Sequence, residues 1–396
     1  MACGIAGVRW SSSLVAPEIL GHYSLLVATH LFGVSVTHQG FIRHAQRYWT
    51  RGRRASKYAQ LLLGTAARPT GWLAIGLAGV TVVLYLMTQG AIGAAWWPWM
   101  LAINLLTVIA HLIHAALQAE ERYWSHFALS TFGAAARSFL PLLLASLAGA
   151  SLAVLAGGFA VHAFLWALVA LCFLGQSWQR TDAAEAIESP QGMLTAFMGV
   201  GMFAWLAGMA PRWFAALALN PETTGYFMLA MNLAMFVPTS VSLIGHSYSF
   251  PPLFAAGRAG ADDATLSKMT QRTVGIVLLV GQTGLLALAA MGPLLVGAIV
   301  HPRYAPSMDW LLPAGGAALA NITSPLFCNA LMARNRADAC LRLTGWSAGF
   351  RVALVGALAL VGDIDAFRWG LGLLAWPTAI LEWWLMRRLL QRAASK

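Results

Sequence analysis

Arg9-Trp10-Ser11-Ser12-Ser13-Leu14-Val15-Ala16-Pro17-Glu18-Ile19-Leu20-Gly21-His22-Tyr23 has an echo half a chain later. The second copy opens on Arg212-Trp213 and, after seven residues instead of six, continues Pro221-Glu222-Thr223-Thr224-Gly225-Tyr226-Phe227. Apart from that gap the offset is constant. In a chain this apolar, two matching halves predict a membrane protein built from repeated helix bundles with a path between them.

Composition supports that class. Hydrophobic residues make up 59% of the chain and charged residues 10%, against roughly 25% charged in a soluble domain. The apolar residues fall in blocks of about 18–25, the length that crosses a hydrocarbon core. Unpaired backbone groups are prohibitively costly in lipid, so such blocks should be helices; they are too long and too little alternating for barrel strands. Eleven blocks are read near residues 22–42, 69–88, 93–117, 138–158, 160–177, 193–210, 224–246, 274–299, 308–333, 344–362 and 367–386. No long polar stretch remains for a soluble catalytic domain, and no enzyme activity is expected.

The net charge of +11 is distributed as topology, not as a nucleic-acid surface. Nineteen of the 25 basic residues fall in alternate connections: 43–57, 122–137, 180, 258–272, 334–342 and 387–396. The positive-inside rule puts these regions, with the C-terminus, in the cytoplasm, where they also attract anionic lipid. Trp96, Trp97 and Trp99 open the third block and Trp383 and Trp384 close the last, both suited to the membrane interfaces. Cys3, Cys172, Cys328 and Cys340 have no metal spacing and read as packed thiols; no cofactor or metal is expected. The Asn321-Ile322-Thr323 sequon lies inside an apolar block and is discounted.

The second repeat copy follows a complete apolar block, whereas only eight residues precede Arg9. Matching halves therefore predict a first helix that is mostly missing here, in a parallel repeat of two six-helix bundles. The expected division is 1–180 for an N-terminal bundle with a truncated first helix and 190–396 for a C-terminal six-helix bundle.

Within the blocks, polar residues are few and patterned. Asn104, Thr107, His111, His114 and Gln118 are spaced 3, 4, 3 and 4, so they share one helical face. Helix packing, the lining of a transport cavity and catalysis all accommodate such a stripe. The block 22–42 holds His22, His30 and His38 and runs into Arg43 and Arg47, the composition of an interior helix bordering water. Arg43 and Arg47 serve either as cytoplasmic anchors or as an inward-facing anion site. Arg351 sits inside its block and needs a partner, water, an anionic ligand or a short reach to the interface. Arg212 and its echo Arg9 are helix-end anchors or a pair of cations facing one another. The fourteen acidic residues fall in connections or near helix ends, with Glu382 the deepest and about one turn from the inner surface. Cation pumps usually need a buried carboxylate, so this pattern points to an anionic cargo. Histidine changes charge near neutral pH, which keeps proton coupling through His30, His38, His111 or His114 open.

Pro17-Glu18-x-x-Gly21-His22-Tyr23, continuing to Gly40 and Arg43, resembles the junction of helices one and two in Wzx-type polysaccharide flippases. Ala210-Pro211-Arg212-Trp213 through Pro221-Glu222-x-x-Gly225-Tyr226-Phe227 resembles helices seven and eight, and Tyr304 to Arg336 the tenth helix and its approach. An Asp commonly precedes that Arg-Trp in the family; here Pro211 replaces it. The resemblance is to the multidrug/oligosaccharidyl-lipid/polysaccharide (MOP) exporter superfamily. It implies an all-α, two-lobed alternating-access transporter, with twelve helices in the family and about eleven here. Its cargo would be undecaprenyl-pyrophosphate-linked oligosaccharide in the bacterial inner membrane. Coupling to H+ or Na+ is implied by the superfamily alone, and a polysaccharide polymerase and chain-length proteins are candidate partners. Arginine's forked donors suit phosphate. Arg212, Arg351, Arg43 and Arg9 are the expected anion contacts, with Asn104, Thr107, His111, His114, Gln118, His30 and His38 as cavity lining. An intramembrane acyltransferase using His111 or His114, another polysaccharide-assembly enzyme, and a drug or cation antiporter are the alternatives.

Overall fold

The computed structural model describes residues 2–38, 74–86, 88, 90, 92, 96–119, 122–177, 191–334 and 336–394. Every regular element of the described residues is helical, with no strand among them. The first half comprises α1 (Ala2–Leu14), α2 (Pro17–Gly33), α3 (Ala74–Leu86), α4 (Trp96–Ala119), α5 (Tyr123–Ala148), α6 (Leu152–Ser177) and α7 (Gln191–Ala218). A π-helical turn, Val34–His38, extends α2. The second half continues with α8 (Pro221–Ala234), α9 (Phe236–Arg258), α10 (Asp263–Ala290), α11 (Gly292–Ala298), a 3-10 segment Pro302–Trp310, α12 (Leu311–Ala333), α13 (Ala337–Leu360), α14 (Ile364–Leu373) and α15 (Ala375–Ala394).

Local chemistry explains the boundaries. Both copies of the repeated motif carry Arg-Trp on one helix and Pro-Glu at the start of the next. Pro17 and Pro221 open α2 and α8, where a missing N–H costs nothing, and Glu18 and Glu222 lie in the first turn near the positive helix end. Asn220 caps α8 by accepting the Thr223 N–H at 2.7 Å. The regular α-helix is interrupted after Gly33 in one copy and after Ala234 in the other, so the repeat persists in local structure beyond its matching letters.

Each of the eleven apolar blocks has a helical counterpart among the described residues, although several boundaries move. The block read at 138–158 straddles a break. One helix runs from Tyr123 to Ala148, and Gly149 ends it with φ +89°, a conformation that glycine adopts without strain. The segment 123–137, expected within a connection from its basic ends Arg122 and Arg137, carries Ser125, His126, Ser130 and Thr131 as well. Intrahelical hydrogen bonding does not require an apolar composition, and the helix runs through it. The blocks at 224–246, 274–299 and 367–386 are each broken into two helices, at Met235, Met291 and Leu374.

Eight helical segments of the described residues are long and apolar enough to cross a membrane. Their outer surfaces are apolar as well: Trp124, Leu147, Leu243, Leu279, Trp346 and Leu360 are all exposed. So much exposed apolar surface suits lipid contact, not water. At the end of α15, Arg387 and Arg388 lie over the rings of Trp383 and Trp384, at 5.2 and 3.9 Å, a pairing of cation and amphipathic ring suited to an interface. The protein is a multi-pass membrane protein.

Packing divides the chain into two compact units, Ala2–Met202 and Phe203–Lys396, with the division inside α7. Gly201 shows why the start of α7 goes with the first unit: a Cβ there would fall 1.7 Å from the Ser35 carbonyl oxygen. From Phe203 onward the helix packs in the second unit, with Phe203 against Gly345 and Gly208 against Asn321. Of the polar link expected between the bundles near 178–192, residues 178–190 lie outside the described residues and α7 begins at Gln191. Close backbone approach recurs in both units. In the first, Gly158 of α6 sits on Pro141 of α5, and in the second Gly316 of α12 sits on Gly372 of α14.

Candidate functional site: polar clusters inside each unit

In the second unit, Arg351 of α13 is 2% exposed and Glu382 of α15 is 0% exposed. Their Nη2 and Oε1 atoms are 3.2 Å apart. The other guanidinium donors are also engaged. Nε and Nη2 donate to Ser347 Oγ at 3.2 and 2.9 Å, and Nη2 to Ser324 Oγ at 2.6 Å. Nη1 donates to the Ala320 carbonyl at 3.1 Å and to Asn321 Oδ1 at 2.8 Å. The hydroxyls of Ser324 and Ser347 both donate to Glu382 Oε1, while Oε2 has no hydrogen-bond partner among the described residues. Helices α12, α13 and α15 thus meet around a neutral, hydrogen-bonded pair of charges. Beside it, the Cys340 thiol donates to the Cys328 carbonyl at 3.4 Å, and Cys328 Sγ lies 3.6 Å from the Thr344 hydroxyl.

Glu382 is the residue that sequence reading misplaced. Near the end of an apolar block beside two tryptophans and two arginines, it read as a carboxylate a turn from water. Its side chain is instead fully buried, because α15 turns that face toward α12 and α13. The only signal in the sequence was the charge of Arg351, which had to find a partner somewhere.

In the first unit, the polar groups form a column of rings. His30 of α2 meets Phe159 of α6 edge-on at 5.1 Å, and Phe159 is 5.5 Å from His162. His162 stacks with Trp166 at 5.8 Å, and Trp166 takes the edge of His111 from α4 at 4.8 Å. One turn along α4, His114 stacks on His126 of α5 at 3.8 Å. Trp166 is held by donating Nε1–H to the Leu129 carbonyl at 3.2 Å, with Gly133 leaving room for its ring. His30 and His162 are buried, with His30 Nδ1 unpartnered among the described residues.

Arg137, halfway along α5 and exposed on the unit, completes this arrangement. It is close enough to Tyr23, His30, His111 and His162 to interact electrostatically with each. The charge pattern alone places Arg137 in a cytoplasmic connection, and nothing in the sequence singles out His162. Only the continuity of α5 places that guanidinium in the middle of a helix. Among the described residues of the first unit the one carboxylate is Glu18, at the start of α2, so the charge of Arg137 on the exposed side of α5 has no acidic neighbour in mid-helix.

The remaining expected residues are dispersed. Asn104 and Thr107 are fully buried and their side chains bond within α4, Asn104 to the Met100 carbonyl and Thr107 to that of Ile103. Asn104 also packs on Gly33 of α2, where a Cβ would lie 1.9 Å from its Oδ1. This end of the stripe therefore packs helices, while His111 and His114 are half-buried. For His38 and Gln118 the structure describes the backbone alone, and Arg43 lies outside the described residues. Arg9 is exposed on α1, which packs on α5 through Gly7 with Ser138 and Trp10 with Phe139, next to Arg137 in sequence. Arg212 is half-buried in α7, with Nη1 3.5 Å from Met209 Sδ and no carboxylate partner among the described residues.

The fold is similar to that of solved MOP superfamily transporters. No protein-family model matches the chain, and no curated protein does. Solved structures do match over its whole length. An inward-facing multidrug-resistance transporter of the MATE family is 12% identical with a TM-score of 0.69, the alignment covering 100% of this chain and 95% of the other. The lipid II flippase MurJ, in an inward closed conformation, is 9% identical with a TM-score of 0.63, covering 100% and 85%. A MOP superfamily transporter from Pyrococcus furiosus, described as having a binding pocket of reversed polarity, is 12% identical with a TM-score of 0.61, covering 100% and 93%.

Proposed function

We propose that the chain is a flippase that moves undecaprenyl-pyrophosphate-linked oligosaccharide from the inner to the outer leaflet of a bacterial inner membrane by alternating access, with its C-terminus in the cytoplasm. One observation carries this reading: the first unit brings the exposed guanidinium of Arg137, in mid-helix, within electrostatic reach of His30, His111 and His162, with no described carboxylate in α3–α6. A positive, hydrogen-bonding face suits a pyrophosphate and its sugars, while the lipid tail remains in the bilayer. Similarity of fold to a lipid II flippase is consistent with such a cargo.

Arg212 and Arg9 join Arg137 as anion contacts, with Arg43 as the cytoplasmic entry contact. Arg351, whose donors are engaged within its own unit, is left out of the contacts. His111 and His114 line the path, and anionic lipid gathers at the basic connections. H+ or Na+ is the coupling ion, and a polysaccharide polymerase and chain-length proteins receive the product. No nucleic acid is involved.

Complementation of a flippase-deficient strain tests the proposal, read by the leaflet in which lipid-linked intermediate accumulates. The wild-type chain restores export, and Arg137→Ala together with Arg212→Ala leaves the intermediate on the cytoplasmic side. A wild-type chain that moves no glycolipid overturns the function; unimpaired export by the double variant overturns the contacts.

The antiporter alternative draws support from the buried carboxylate of Glu382, which the sequence had discounted. The engagement of its Oε1 by Arg351 and two serines weighs for the anionic cargo.

A further inference from the structure

We infer that the guanidinium of Arg351 is the resident cation of an oxygen-lined cation site in the second unit, standing where a free monovalent ion such as Na+ would otherwise bind. The argument starts from the acceptors. One side chain makes six contacts with five oxygens: Glu382 Oε1, Ser324 Oγ, Asn321 Oδ1, the Ala320 carbonyl, and Ser347 Oγ, which meets both Nε and Nη2. Carboxylate, hydroxyl, amide and backbone oxygens are the hard donors that coordinate hard cations. Glu382 supplies a further oxygen, Oε2, fully buried and unpartnered among the described residues.

Charge fixes the class of ion. The cage holds one carboxylate, and a buried net charge is costly, so a single positive charge balances it. A divalent ion would leave an excess. The residues come from three helices: Ala320, Asn321 and Ser324 from α12, Ser347 and Arg351 from α13, and Glu382 from α15. Ser347 and Arg351 are one turn apart, so the guanidinium folds back over its own helix to reach the cage. While it sits there, the site has no room for a free cation. Any gradient that drives the protein acts at another place.

Arg351→Ala opens the site. The test is thermal unfolding of the purified full chain in detergent, with NaCl compared against choline chloride at equal ionic strength. The expected result is a saturable Na+-specific rise in melting temperature, at least about 3 °C larger in Arg351→Ala than in wild type. The increment disappears in Arg351→Ala/Glu382→Gln, which lacks the balancing charge. Arg351→Lys, which retains a tethered cation, stays close to wild type.

An equal Na+ response in wild type and Arg351→Ala overturns the inference, as does an increment that survives the loss of Glu382. So does stabilisation of Arg351→Ala by acid with no Na+ effect, because a proton then neutralises the carboxyl. If Arg351→Ala stays folded only in Na+, the inference holds. If it unfolds in both salts, Arg351→Gln carries the same comparison, and no Na+ increment there overturns it. None of these readouts depends on the cargo.

Discussion

The guanidinium of Arg351 and the carboxylate of Glu382 meet at 3.2 Å although 31 residues separate them in sequence. Taking two charges out of water is expensive, and the pair is tolerated because serine hydroxyls, an amide and a carbonyl complete its hydrogen bonding.

Breaking that pair strands a charge. Glu382→Ala is expected to cost about 3–5 kcal/mol, read as unfolding free energy in detergent. Arg351→Met/Glu382→Leu should lose much less than the sum of its single changes, since it removes both charges. Additive losses in that cycle would mean the two groups are not coupled.

Arg137 is exposed on its unit, so Arg137→Ala should leave stability within about 0.5 kcal/mol of wild type. Its effect should fall on transport instead. We expect at least about a tenfold loss of glycolipid export, the equivalent of one charge-assisted hydrogen bond to the cargo. Arg137→Lys should recover part of it, because a point charge replaces a fork of donors. Export at the wild-type rate in Arg137→Ala would remove this residue from the path.

Two adjacent glycines on α6 should behave oppositely. A Cβ on Gly158 would lie 2.4 Å from Pro141 Cα, a backbone contact that cannot rotate away, so Gly158→Ala should destabilise by about 1–3 kcal/mol. A Cβ on Gly157 meets nothing within 4 Å, and Gly157→Ala should be neutral or stabilising by up to about 1 kcal/mol. Equal melting temperatures for the two variants would contradict the helix crossing described here.

Asp262 caps α10 by accepting the Thr265 N–H at 2.9 Å. Hydrogen bonds from Thr265 hold its carboxyl below the usual value of 3.8. A depressed carboxyl contributes stability that is present above the unfolded value and lost as pH falls through the folded one. Asp262→Ala should therefore speed amide exchange at Thr265 near neutral pH, and its difference from wild type should shrink as pH falls below about 4. A difference that stays constant down to pH 2 would show that the charge of the cap is irrelevant.

Helices and the membrane class were legible in the residue string, because hydropathy over a block of 18–25 residues is a local sum and lipid enforces helix wherever that sum is high. The repeat was legible too, and its Pro-Glu pairs do open helices. Legibility failed where composition was mixed. The segment 123–137 looked like a connection because of its basic ends, Arg122 and Arg137, yet it is the first half of a continuous helix. The polar stripe of α4 was read correctly as one face, but whether that face packs or borders a path depends on its neighbours. Gly33 closes over Asn104, while Trp166 and His126 meet the two histidines.

By itself, then, the order of residues determined that this is an all-helical membrane protein with a repeated motif and an internal arginine at 351. Tertiary structure alone decided that Glu382 answers that arginine and that Arg137 stands among histidines from three other segments. The reason is physical. Burial in a bilayer is settled residue by residue, whereas the partner of a charge is settled by which helix faces turn toward each other.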